Sequence, residues 1–293
     1  MNKSFSTRAV VLGLAMFGTL VLSSGLALAQ SSQAQSAPSL PACTGLRWIV
    51  NAGSLKHSQP DFPQDLQAKY FNSPCTFLVI GANPPAEYRD WHVVRTRTIT
   101  TIAALDDVVN DPDVSAVLYD PEGWQLTPPD EQRDPAAAAC RAAPIVHAHN
   151  KLLIVTPATN LVRFLAPGSI ADGQRFAIFA KTGVAGKIAP CADVYEIQAQ
   201  GAETDVGEFQ QFVRSVAQQA RTANPRVVIL AGISTNPMGR HVGAQDVFKA
   251  VQSVRADVDG FWLNIPAGGK FCPTCGEPQP KVAVELLQML SPH

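Results

Sequence analysis

Asp120-Pro121-Glu122 sets two carboxylates two positions apart at the end of an apolar run, Ser115–Asp120. On an extended strand, residues i and i+2 point to the same face, so the two acids lie close together. Their mutual repulsion raises one pKa, which is how a general acid stays protonated near neutrality. On an isolated loop the same pair would be solvated acids capping the next helix. The fold around them decides between these roles. Other reactive side chains offer less. His147 and His149 are two apart and share no helical face, so they are not the i, i+4 pair of a metal site. Ser234 and His241 lack the Gly-x-Ser-x-Gly elbow of a hydrolase nucleophile. No strand is followed by Gly-x-Gly-x-x-Gly opening a helix, the mark of a dinucleotide site. Neither a metal nor a cofactor is expected.

The elements that position these residues repeat one pattern: a short β-rich apolar run, a polar or Gly/Pro cluster, then an amphipathic stretch. Candidate strands are Arg47–Ala52, Thr76–Gly81, His92–Thr96, Ser115–Asp120, Leu152–Pro157, Val194–Gln200, Arg226–Gly232 and Gly260–Ile265. Helices are clearest over Thr204–Ala223, with Asp205 and Glu208 at capping-box spacing, and over Gln245–Arg255. Thr127–Asn150 is helical in composition, and Pro144 predicts a kink. The proline-rich interval between the second and third strands has no room for a helix. Strands alternating with helices in this way predict an α/β fold, a single TIM-type (β/α)8 barrel over residues 43–293.

Barrel enzymes place their chemistry at the C-terminal ends of the strands. Alternation then selects the inward side chains. Val117 and Tyr119 belong on the helix-facing side, so Asp120 and Glu122 point into the mouth. Tyr195, Ile197 and Ala199 face outward, leaving Glu196, Gln198 and Gln200 inside. Phe261, Leu263 and Ile265 face outward, leaving Trp262 and Asn264 inside. The mouth therefore collects Asn51, Asp120, Glu122, Gln198, Gln200, Ser234 and Asn264, with Trp262 below. Amides donate and accept in pairs, as sugar hydroxyls require, and Trp offers a stacking face. A phosphorylated ligand fits less well, because acids rather than cations sit at the centre. Glu196, lower on the inward face, is expected to be buried and paired, with Arg47 the first partner to name. Arg95 and Arg97 would neighbour Asp120 if their face of the third strand is inward.

The first thirty residues resemble a targeting segment. Lys3 and Arg8 precede the apolar run Val10–Leu22, and Leu26-Ala27-Leu28-Ala29 ends in a small-x-small pattern before Gln30. Residues 1–30 are expected to be a secretory signal peptide, followed by a flexible linker at 31–42. No later stretch reaches membrane-spanning length, so a secreted or periplasmic protein is expected. In an oxidising compartment Cys43, Cys75, Cys140, Cys191, Cys272 and Cys275 read as disulfides. Cys43 and Cys75 each precede a strand at the same end of the barrel and should pair. Cys272-Pro-Thr-Cys275 is expected to be a local loop staple, which leaves Cys140 with Cys191. The formal net charge of −1 gives no basic field for nucleic acid.

An Asp-x-Glu ending the fourth strand of a secreted barrel resembles family 18 glycoside hydrolases, the chitinases and endo-N-acetylglucosaminidases. That resemblance implies Glu122 as the general acid and Asp120 as the carboxylate that orients and stabilises the substrate's N-acetyl group. It implies Trp262 as the base of the sugar subsite. The chain departs from the family at Leu118, where a further aspartate would stand, and at Gln198 and Gln200, where a Tyr beside an Asp or Asn is usual. Two functions follow: a secreted glycoside-hydrolase-like barrel acting on a carbohydrate, or a lectin-like or interaction barrel that binds a polar ligand without turnover.

Overall fold

The structure is a computed structural model and describes residues 38–169, 173–269 and 272–291. The expected leader and residues 31–37 of the expected linker lie outside the described residues. Eight strands close into one parallel barrel in chain order. They are β1 (Arg47–Asn51), β2 (Thr76–Val79), β3 (Val94–Ile99), β4 (Ala116–Tyr119), β5 (Leu152–Val155), β6 (Val194–Ile197), β7 (Val228–Ser234) and β8 (Gly260–Asn264). Closure is made by β1 on β8, with Trp48 opposite Phe261 and Ile49 opposite Trp262. The chain is thus a TIM-type (β/α)8 barrel. Among the described residues, no helix is long and apolar enough to cross a membrane.

Helices follow most strands: α1 (Ala52–His57) and α2 (Gln64–Phe71) after β1, α3 (Asp106–Val109) after β3, and α4 (Pro129–Arg133) and α5 (Pro135–Ala148) after β4. After β5 come α6 (Val162–Leu165), α7 (Arg175–Lys181) and α8 (Val184–Ile188). The outer ring ends with α9 (Val206–Ala223), α10 (Ala244–Val254) and α11 (Pro280–Leu290). Asp205 caps α9, its side chain accepting from the backbone N–H of Gly207 and Glu208. Between β2 and β3 the described chain has a single 3-10 turn, Ala86–Tyr88, as the prolines there require. The expected long helix after β4 is broken at Asp134, which precedes Pro135 and leaves helical geometry. Pro144 stays inside α5.

Two apolar layers separate by alternation. Ile49, Phe77, Val94, Ala116, Leu118, Ile154, Val194 and Leu230 fill the barrel interior. Val117, Tyr119, Tyr195, Ile197, Phe261 and Leu263 pack outward against the helices. This is the partition that turns Asp120, Glu122, Glu196, Gln198 and Asn264 inward. β3 starts two residues later than expected, because the His92 N–H is already taken by the Asn72 side chain at 2.7 Å. Val94 lies in the barrel-interior layer, so the inward set is Val94 and Thr96. Arg95 and Arg97 point outward, to Asp113 at 3.7 Å and Asp111 at 3.5 Å, and neither neighbours Asp120.

The three disulfides are Cys43–Cys75, Cys140–Cys191 and Cys272–Cys275. The first ties the chain before β1 to the start of β2, and the second ties α5 to the turn before β6. The last residues of the expected linker are not merely a tether. Leu40 packs under the barrel interior, and the Pro41 carbonyl accepts from Arg47 Nη2 at 2.8 Å. That bond overturns the expected Arg47–Glu196 pair. Arg47 opens β1 at the barrel floor, and its guanidinium turns down to the incoming chain rather than up to Glu196. The His147 ring Nε2 lies 2.9 Å from Asp193 Oδ2, joining α5 to the start of β6.

Candidate active site

β4 ends at Tyr119, and the next three residues carry the two carboxylates over the barrel mouth. Asp120 Oδ1 accepts two hydrogen bonds, from Thr156 Oγ1 at 2.9 Å and from Gln198 Nε2 at 2.7 Å. Gln198 also donates to the Thr156 carbonyl at 3.0 Å, which locks its amide orientation. With both donors on Oδ1, a proton on Asp120 is carried by Oδ2. Glu122 Oε2 accepts from Asn160 Nδ2 at 3.3 Å. Asn160 Oδ1 in turn accepts from the Gly123 N–H at 2.7 Å, and the Glu122 N–H donates to Thr127 Oγ1 at 3.1 Å. The Asp120-Pro-Glu122 segment is therefore pinned from β5, from β6 and from the loop that follows it.

The electrostatics favour protonated acids. Burial, then the charge of Glu122, pushes the Asp120 carboxyl up to about 7, against the opposing pull of Thr156 and Gln198. Burial also raises Glu122, while its bond from Asn160 lowers it. The charge of Glu122 thus helps hold a proton on Asp120 into the neutral range. Glu196 sits one inward position below Gln198 on β6. It is fully buried, neither carboxyl oxygen has a hydrogen-bond partner, and burial followed by the charge of Asp120 raises it well above an ordinary glutamate. A buried carboxylate without partners is held as the neutral acid.

The cavity over the pair has a volume of about 450 Å³ and is lined by Asp120, Glu122, Ala158, Thr159, Asn160, Arg175, Gln198, Gln200, Met238, Trp262 and Asn264. That size suits a small-molecule or sugar-ring ligand. Gln200 reaches it over Gly232, where a Cβ would meet the Gln200 amide at 2.3 Å. Trp262 packs on the barrel interior from above.

Six of the eight expected mouth residues thus converge. Asn51 and Ser234 do not line this cavity. The Asn51 side chain accepts from the Ser54 N–H at 3.1 Å and caps α1. Ser234 is buried, and its hydroxyl accepts from the Asn236 N–H at 3.3 Å. Ala158, Thr159, Asn160, Arg175 and Met238 are further lining residues, and Thr156 and Glu203 brace the site from outside the lining. Thr156 keeps the inward parity of Ile154 within the expected strand Leu152–Pro157, whereas Asn160 and Arg175 come from beyond it and alternation does not set their direction. Glu203, buried beyond β6, accepts from the N–H groups of Gly201 and of Ser234, the latter at 2.8 Å, and joins the β6 loop to β7. Burial raises Glu203 to about 7 against those hydrogen bonds. The Asp205 cap signal marked the end of that loop, but no spacing rule pointed to Glu203.

No protein-family model and no curated protein sequence matches the chain. Among solved structures, a "putative alpha-L-fucosidase" from Bacteroides thetaiotaomicron is similar at 8% identity and a TM-score of 0.50, covering 88% of this chain and 98% of that one. Active domain 2 of a chitinase from Pyrococcus furiosus aligns at 10% identity and a TM-score of 0.49, covering 87% and 97%. A GH18 chitinase from Pseudoalteromonas aurantia aligns at 13% identity and a TM-score of 0.38, covering 60% and 69%. Likeness at such identity concerns the barrel fold and leaves the chemistry to the residues at the mouth.

Proposed function

We propose that this barrel is an exported glycoside hydrolase, with Glu122 as the general acid and Asp120 as its partner. The observation that carries this is the pair itself: two inward carboxylates at the C-terminal end of β4, both raised, opening into a cavity walled by amides and Trp262. Glu122 donates its proton to the glycosidic oxygen as the bond from that oxygen to the anomeric carbon breaks. Asp120 stabilises the positive charge that develops on the sugar. Water then adds to the anomeric carbon and returns a proton to Glu122. Asp120 and Glu122 are the acids among the described lining residues, and they sit on one side of the cavity. A second carboxylate across the sugar ring, as a two-carboxylate displacement requires, is not part of this lining. That favours orientation of a substrate N-acetyl group by Asp120, as the family 18 resemblance implies. Three disulfides and the amino-terminal sequence pattern support export.

A lectin-like barrel is the second reading, favoured by one observation. Asp120 is held by two donors on one oxygen, which suits a fixed binding group as well as a reacting one. Incubation with a glycan panel, read both by product release and by equilibrium binding, separates them. Cleavage supports the hydrolase, binding without cleavage supports the lectin, and neither result on any glycan removes both.

A further inference from the structure

Two guanidinium groups that the proposed reaction does not use stand beside the cavity, Arg175 in its lining and the exposed Arg240 next to it at Gly201. Arg175 opens α7 and lines the cavity. Its Nε is buried without a hydrogen-bond partner. Among the described residues its Nη2 meets the Met238 sulfur, at 3.7 Å, a weak acceptor. Arg240 donates from Nη2 to the Gly201 carbonyl at 2.5 Å. Both Nη2 atoms come within 3.8 Å of where a Cβ on Gly201 would sit, so the two cations stand side by side. Neither forms an ion pair among the described residues. The acids that bear on them, Glu208 for Arg175 and Glu203 for Arg240, stay outside ion-pair distance. Glu203 is already engaged by two backbone N–H groups.

Two adjacent guanidinium groups repel unless an anion joins them. A guanidinium fork matches the paired oxygens of a carboxylate or sulfate far better than a single sugar hydroxyl. We propose that the barrel takes an acidic glycan, whose carboxylate or sulfate substituent is received by Arg175 and Arg240 while the glycosidic bond faces Glu122. This deepens the glycan-acting function above and rests on it. Sugar hydroxyls go to the amides of Gln198, Gln200 and Asn264. The substituent goes to the cations, so the acids at the centre do not repel it.

The test is calorimetric titration of the full chain with three oligosaccharides of matched length: oligogalacturonate, a sulfated chondroitin and a neutral chito-oligosaccharide. Wild type is expected to bind at least one acidic glycan about tenfold or more tightly than the neutral one, with the preference shrinking as salt is raised. The better acidic ligand identifies carboxylate or sulfate as the group recognised. Arg175→Gln and Arg240→Gln are each expected to erase most of that preference, weakening the acidic glycans far more than the neutral one. Arg175→Lys is expected to keep only part of it, since a point charge lacks the fork. Equal wild-type affinity for acidic and neutral glycans overturns the proposal whether or not the variants fold. So does a preference that Arg175→Gln and Arg240→Gln leave intact. In both cases neutral-glycan binding leaves the glycan-acting function standing, whereas absence of binding to all three removes that function as well.

Discussion

Gln198 Nε2 donates to Asp120 Oδ1 at 2.7 Å, joining β6 to the end of β4 over the barrel mouth. The bond stabilises the ionised form of Asp120 and so opposes the upward push of burial and of Glu122. Gln198→Leu removes the donor and keeps most of the volume. Asp120 is then expected to titrate about one pH unit higher than in wild type. Carbon-13 NMR of labelled aspartate carboxyls reads the midpoint directly, and a midpoint that is unchanged or lower contradicts the assigned role of the bond.

Glu196 lies beneath that bond with no partner of its own. Its folded-state pKa is raised well above 4.5, whereas the unfolded chain ionises at about 4.3. The folded protein therefore keeps a proton that the unfolded chain releases. Its contribution is fully present below about pH 4.3 and is lost as pH rises toward the folded pKa. Glu196→Leu removes both the buried carboxyl and this loss. The variant is expected to be more stable by about 1–3 kcal/mol at pH 7, with a smaller gain near pH 4. Urea unfolding at the two pH values measures it. Destabilisation at pH 7, or a gain that does not grow with pH, contradicts the unpartnered state.

Two inward glycines separate folding from function. At Gly260 a Cβ would lie 1.9 Å from the Arg47 carbonyl oxygen, on the backbone that closes β8 onto β1. At Gly232 it would meet only the end of the flexible Gln200 side chain. Gly260→Ala is expected to cost about 3 kcal/mol or more, and Gly232→Ala about 1 kcal/mol. Gly232→Ala should nonetheless weaken glycan binding by up to about tenfold, because Gln200 is displaced from the cavity. Paired melting and binding measurements check this, and Gly232→Ala with unaltered affinity removes Gln200 from the ligand's surroundings.

Much of the site was legible because strands alternate with period two. Val117 and Tyr119 outward compel Asp120 and Glu122 inward, and the same logic placed Glu196, Gln198, Trp262 and Asn264. Alternation gives direction but not partners. Asn51 has the inward parity of Ile49, yet its amide is spent capping α1. Arg47 has the inward parity too, yet it binds the chain below the barrel. Parity carries one or two residues past a strand end, as at Asp120, Gln198 and Thr156, but it does not reach Asn160 or Arg175, which come from the segment after β5 and from α7. The cation at the mouth thus comes from α7 rather than from Arg95 or Arg97, whose strand begins two residues later than its apolar pattern suggested.

Glu122→Gln keeps the shape of the side chain and an acceptor for Asn160 while removing the transferable proton. Turnover and binding of one glycan, measured side by side in wild type and variant, are the most direct test of the proposed chemistry. The expected result is cleavage by wild type, a loss of about 10²–10⁴-fold in rate for Glu122→Gln, and affinity nearly unchanged. Cleavage that survives the substitution contradicts Glu122 as the acid, and binding by both proteins with cleavage by neither contradicts the hydrolase itself.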